Sequence, residues 1–305
     1  MAFQFITGSF LVDKPVTIIH KFVELKKQQP EAKIYYLVPD HIKFDMEERM
    51  LKELRQLQGR SSAAMTDIQV ASFKRLAWFL LPKSFNQKPQ LSQIGNAMLI
   101  QAILLQEKDH LRVYRGQIYH QGFIDKLLKL FEELYEANIQ PDDLQRIVEQ
   151  MADPSWQQNP NENQRLVELA YLYAIYRQKI NDQSLDNYQD FERLQAYLDQ
   201  EDFSRNYYAI IDHFQAFNAQ EIALIRALAR NFNHVYLSLP LSHHQANQAS
   251  YQPVYQLTRE TYQQIKRILL QEDIEIKADW EISQPIKAYR PEIIQTSQMT
   301  LNVLN

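Results

Sequence analysis

Residues 2–15 read AFQFITGSFLVDKP, and this stretch decides the fold. Phe3–Thr7 is a short apolar run, as expected of a buried strand. The pattern then switches. From Pro15 to Gln29 apolar residues recur at helical spacing, and Pro15 is tolerated in a first helical turn. The same unit recurs twice. Lys33–Val38 (KIYYLV) is β-branched and aromatic and stops at Pro39, after which Asp40 can cap a helix to about Leu57. Ile68–Ala71 (IQVA) reads as a third strand, with Ser72 capping a helix through Leu81. Strand, crossover helix and strand in repetition predict a parallel sheet.

Residues 82–89 (PKSFNQKP) read as a boundary. From Leu91 to Leu198 the pattern is helical throughout. Ile124, Leu127, Leu128, Phe131, Leu134 and Tyr135 mark one helix face, and Leu166, Leu169, Tyr173 and Tyr176 mark another. Strands return at Tyr207–Ile211 (YYAII) and His234–Leu239 (HVYLSL), with helices at Ala219–Asn231 and Thr258–Leu270. The expected organisation is an α/β domain split by an all-helical insertion. Residues 1–84 and 201–275 form the sheet domain and 85–200 the insertion. Residues 276–305 are a linker or the start of a further domain, since the tail from Gln284 has no clear pattern.

Composition narrows the chemistry. Hydrophobic residues make up 45% and charged residues 23% of the 305, which is ordinary for a folded soluble chain. Glycine is scarce, at 5 residues, and no two are close, so a Gly-rich phosphate cradle is disfavoured. The net charge of -4 and pI near 6.1 argue against a dedicated basic DNA-binding module, though not against a local basic face. Residues 121–200 hold 15 acidic and 7 basic side chains, whereas 41–83 hold 8 basic and 5 acidic. Zero cysteines exclude disulfides, thiolate nucleophiles and iron–sulfur ligands from this chain. There is no signal-peptide pattern, and the longest apolar run, Leu76–Leu81, is far too short to span a bilayer, so a cytoplasmic location is expected.

Two segments invite comparison with nucleotide sites. Gly8 and Lys14 occupy the strand–loop–helix slot of a phosphate-binding loop, G-x-x-x-x-G-K-[ST]. However, Asp13 replaces the second glycine and would repel phosphate, and Pro15 replaces the Mg²⁺-binding hydroxyl. Asp212 ends a strand where many ATPases place Asp-Glu, but His213 holds the position of the Glu. Singly, each segment reads as an ordinary strand–helix loop.

Together the two segments have an order that resembles a UvrD-like superfamily 1 helicase core, and four segments carry the resemblance. More closely, the chain is similar to the N-terminal part of AddB/RexB, the B subunits of bacterial AddAB/RexAB helicase–nucleases. The segments are YLVPDHIKFDMEE (36–48), QVASFKRLAW (69–78), GFI (122–124) with its helix, and IDHFQAFNAQE (211–221). The family shows LVP-[ED]-Q-x-[TS]-F, SF-x-RLAW, GF followed by a helix, and DGF-x-x-F-T-P-Q-E at these places. The resemblance implies a RecA-like (P-loop NTPase-type) sheet domain. It implies a module that is not itself a motor, with unwinding done by the A subunit. It also places a Mg²⁺-dependent nuclease domain, and any iron–sulfur cluster, beyond residue 305.

The resemblance implies that the Chi hotspot in single-stranded DNA is read from positions corresponding to Asp40, His41, Lys43, Phe73, Arg75, Trp78 and Phe214. Phe73, Arg75 and Trp78 offer rings and a guanidinium of the kind that hold single strands. Phe73, Leu76, Ala77 and Leu80 also make an apolar helix face, so core packing competes. His41 and Lys43 depart from the family's Gln and Thr or Ser. No catalytic residue and no metal site is expected in this chain. His243-His244 reads as a loop pair, Tyr171, Tyr173 and Tyr176 as core and rim, and Glu132, Glu133 and Glu136 as a solvated face.

The expectation is a helicase-like, catalytically silent module that guides single-stranded DNA and screens it for Chi in double-strand break repair, in company with an A subunit. The rivals are an active ATP-dependent helicase domain and a protein-interaction scaffold without DNA readout.

Overall fold

The computed structural model describes residues 1–9, 12–58, 68–82, 91–151, 160–183, 189–242 and 253–283. His243-His244 and the tail from Gln284 lie outside the described residues. The chain divides into two compact units. The first comprises residues 1–72, 203–216 and 229–305; the second comprises 73–202 and 217–228.

The first unit is built on a six-stranded sheet in which every pairing is parallel. Its strands are β1 (Ala2–Thr7), β2 (Lys33–Leu37), β3 (Ile68–Ala71), β4 (Tyr207–Ile211), β5 (His234–Ser238) and β6 (Glu275–Glu281). Their order is β3-β2-β4-β5-β1-β6. The inner strands are apolar along their length because helices cover both faces of a parallel sheet. Helix α1 (Lys14–Gln28) carries Pro15 in its first turn and Lys26 and Lys27 in its last, where they complement the helix dipole. Ile18, Ile19 and Phe22 of α1 pack with Ile34, Tyr36 and Ile210 in one core, joined by Met46 and Met50 of α2 (Lys43–Gln58).

Three local expectations need correction. Asp40 does not open α2 directly. Asp40–Ile42 form a 3₁₀ turn, and α2 begins at Lys43. Ser72 precedes the next helix, but its hydroxyl is buried without a hydrogen-bond partner, so it is not a cap. Residues 276–281, read as part of a linker or the start of a further domain, belong to β6 on the edge of the sheet beside β1. The sequence EIKADWE hides this strand because an edge strand keeps charged, partly exposed side chains.

The second unit is helical among its described residues. It holds α3 (Phe73–Leu80), α4 (Gln93–Gln106), α5 (Gln121–Glu136), α6 (Pro141–Met151), α7 (Pro160–Gln183) and α8 (Gln189–Gln200). It also takes the start of α9 (Ala219–Asn231). Ile124, Leu127, Leu128 and Phe131 of α5 meet Leu172, Tyr173 and Tyr176 of α7 in a separate core. The remaining helix, α10 (Pro253–Gln271), belongs to the first unit.

Candidate functional site

The loop after β1 is closed by its own fold. The Gly8 N–H donates to Leu241 O at 2.8 Å, and the Ile282 N–H donates to Thr7 O at 2.8 Å. A Cβ on Gly8 would stand 2.6 Å from Ile282 O, so this glycine lets the chain after β6 approach. The glycine is therefore explained by backbone packing, without a phosphate.

Lys14 is the first residue of α1 and is only 6% exposed. Its ammonium donates to Leu239 O at 2.8 Å and reaches Gly8 O at 3.5 Å. Burial pulls its pKa down to about 8, and the Asp212 carboxylate offsets part of that fall. Asp13, at the second glycine position, is paired with the Arg49 guanidinium of α2. Both charged residues of the loop thus have partners inside the protein.

Asp212 ends β4 and is 3% exposed. It accepts the Tyr36 O–H at 2.6 Å and the His213 N–H at 2.8 Å, and the His213 Nδ1 lies 3.2 Å away. Burial works against the charge of Asp212, but His213 and Tyr36 together hold its pKa below the ordinary value. Tyr36 in turn is pushed far up by burial and by Asp212, so it stays protonated as a donor. His213 adopts φ 66°, a left-handed conformation uncommon for a residue with a Cβ. No carboxylate stands at the position of a water-activating Glu.

The seven residues expected to touch DNA fall on different units. Asp40 and His41 are exposed in the 3₁₀ turn after β2, and Lys43 is partly buried and paired with Glu47 at 3.0 Å. Phe214 belongs to the same unit and is buried. On the helical unit, Arg75 is exposed and Trp78 is 59% exposed. Phe73 is 4% exposed, lies on the apolar face of α3 and meets the Phe217 ring edge-on at 6.2 Å. Core packing accounts for Phe73 and Phe214; Arg75 and Trp78 are the members with solvent-facing side chains on α3.

Sequence reading missed Tyr36, Arg49 and the Leu239 carbonyl. β2 pairs with β4 so that Tyr36 is level with Ile210, two residues before Asp212, a register that the continuous apolar run Ile34–Val38 does not reveal. A main-chain acceptor contributed from 225 residues away leaves no mark in side-chain pattern.

The family described as "ADDB, N-terminal" matches residues 5–295. The chain belongs to the AddB N-terminal family. Over 300 residues, 96% of the chain, it is 29% identical to the B subunit of the ATP-dependent helicase/deoxyribonuclease of Enterococcus faecalis and covers 25% of that protein. The protein of the same name from Limosilactobacillus reuteri is 33% identical over 78% of the chain, with 19% of its own length covered. That of Lactiplantibacillus plantarum is 32% identical over 80% of the chain and 20% of its own length. The chain thus spans a fifth to a quarter of the relatives it matches. For an AddB N-terminal region the RecA-like sheet is as expected, and the described residues contain no cluster of three or more metal-type side chains.

Proposed function

We propose that this chain is the nucleotide-silent, helicase-like module of the B subunit of a two-subunit DNA helicase–nuclease. It guides single-stranded DNA from double-strand break ends and screens it for Chi. The observation that carries the reading is the inward-turned Lys14. An ammonium that donates to Leu239 O and is buried beside Asp212 is committed to the fold. With Asp13 paired to Arg49, the described residues of the loop offer nucleotide phosphates no free cation and one carboxylate. The names of the relatives support a helicase–nuclease setting and a second subunit.

DNA guidance is supported by the exposure of Asp40 and His41 on the sheet unit and of Arg75 and Trp78 on the helical unit. A ring with a neighbouring guanidinium suits a single strand, whose bases stack and whose phosphates need a cation. His41 and Lys43 stand where relatives with Gln and Thr or Ser would present other hydrogen-bonding groups, so the hotspot read here differs from theirs. Lysine donates only, which favours guanine O6 and N7 or a phosphate.

The test is fluorescence anisotropy of a labelled single strand against the assembled heterodimer. Arg75→Ala is expected to weaken capture about tenfold, with or without Mg-ATP, and to leave the melting temperature unchanged. Normal capture by the variant would favour the scaffold reading. Capture that requires Mg-ATP bound to this chain would favour the active-helicase reading.

A further inference from the structure

Helix α4 is apolar on two sides. Its sequence, QIGNAMLIQAILLQ, holds no charged side chain. Ile100, Ile103 and Leu104 face inward, in the core shared with α5 and α7. Ile94, Met98 and Leu105 recur at i, i+4 and i+11, one stripe of a helix, and they face solvent, Ile94 at 74% exposure and Met98 at 65%. A helix on a protein surface ordinarily sets charged residues opposite its apolar face, and one that is apolar all round is normally buried. The outer stripe of α4 therefore does more than the core of its own unit requires.

This stripe borders a groove of about 580 Å³ between α4 and α5. Ile94, Ala97 and Leu128 give the groove its apolar lining, and Asp125, Glu132 and Lys129 of α5 give it its charges. Lys129 lies 3.8 Å from Glu133 on its own helix, so its charge is balanced locally. Asp125 accepts only the neutral Gln121 side chain, at 2.8 Å, among the hydrogen bonds of the groove. The rim is thus acidic, as is the wider segment 121–200, with 15 acidic and 7 basic side chains. An apolar trough with an acidic rim suits a helix whose apolar stripe is flanked by lysine or arginine. It disfavours a second copy of this chain, which would set one acidic rim against another.

We infer that the α4–α5 groove docks a basic amphipathic helix of another protein. Its apolar stripe lies on Ile94 and Ala97, and its cations meet Asp125 and Glu132. Such docking needs neither DNA nor nucleotide.

The experiment measures, by fluorescence anisotropy, binding of the 305-residue chain to a labelled helical peptide with leucines at helical spacing and lysines on both flanks. A control peptide carries glutamate in place of every lysine. The lysine peptide is expected to bind about tenfold more tightly than the control. Ile94→Asp should weaken its binding about tenfold with no loss of melting temperature, because the site is exposed in the first turn of α4, where an acid suits the helix dipole. Asp125→Lys should reduce the preference between the two peptides, and it keeps the test decisive if Ile94→Asp fails to fold. No binding, equal binding of the two peptides, or binding untouched by both substitutions overturns the inference. Self-association of the chain that Ile94→Asp abolishes also overturns it, by making a second copy the occupant. So does failure of the full-length B subunit to take the peptide that the 305-residue chain binds, since the groove would then be filled by the rest of the same subunit.

Discussion

Phe73 and Trp78 lie five residues apart on one short helix in opposite surroundings. Phe73 packs under α3 against Phe217, while Trp78 faces solvent. Phe73→Ala should therefore cost about 3–5 kcal/mol in urea unfolding, the range for truncating a buried ring. Trp78→Ala should stay within about 0.5 kcal/mol, as at an ordinary surface position. A large loss from Trp78→Ala would show that the ring is structural and remove it from the proposed DNA contacts. His234 offers a second residue-level test. Its ring stacks on Tyr236 at 4.2 Å, and burial, aided by Lys277, Lys21 and the chain's amino group, pushes its pKa down to about 4. The folded state therefore binds this proton less readily than the unfolded chain. Stability is full above the unfolded value near 6.5 and is lost as pH falls from there toward about 4. Across that window the loss reaches roughly 3 kcal/mol, and His234→Phe should flatten the profile by the same amount. Parallel profiles for the two proteins would contradict the assigned cause.

At the scale of elements, the helical unit depends on one acid that sequence pattern did not single out. Glu168, 2% exposed on α7, accepts the N–H groups of Arg112, Val113 and Tyr114 at 2.8–3.1 Å and the Gln164 side chain at 3.1 Å. Burial opposes its charge, but these donors outweigh the effect and hold its pKa below the ordinary value. Its contribution is present above the ordinary carboxylate range and is lost as pH falls through the lowered value. Glu168→Ala leaves three backbone donors unpaired and should cost about 3 kcal/mol; a variant as stable as the wild type in chemical unfolding would refute this role. The contrast shows what was legible. Periodicity placed β1 to β5, α1 and the long helices, because burying one face imposes a spacing that side chains record. β6 escaped because an edge strand has one neighbour and keeps charges. Asp40 looked like a helix cap, yet a 3₁₀ turn intervenes. The loop chemistry at Asp13, Pro15 and His213 could be read directly, but the acceptors that hold Lys14 are main-chain carbonyls, and the left-handed backbone of His213 follows from tertiary context.

For the whole molecule, charge is unevenly distributed along the sequence. Residues 121–200 have 15 acidic and 7 basic side chains, and the DNA set draws its cations from the 41–83 segment, where basic residues exceed acidic ones by 8 to 5. Lys43 would exchange its partner Glu47 for DNA, and Lys74 and Arg75 are exposed cations on α3. Single-strand binding should therefore involve about two or three phosphates, with a log–log salt slope of roughly -2. A slope steeper than about -5 would point to a basic surface other than this one. Among the described residues no helix is long and apolar enough to cross a membrane. The central claim is that a helicase-type fold here has given up its nucleotide. Calorimetry of the 305-residue chain with Mg-ATP tests it most directly, with thermal melting in parallel, since a ligand that binds only the folded state must raise the melting temperature. The expected result is no binding heat and no shift at millimolar Mg-ATP. Micromolar binding that disappears in Lys14→Ala would contradict it.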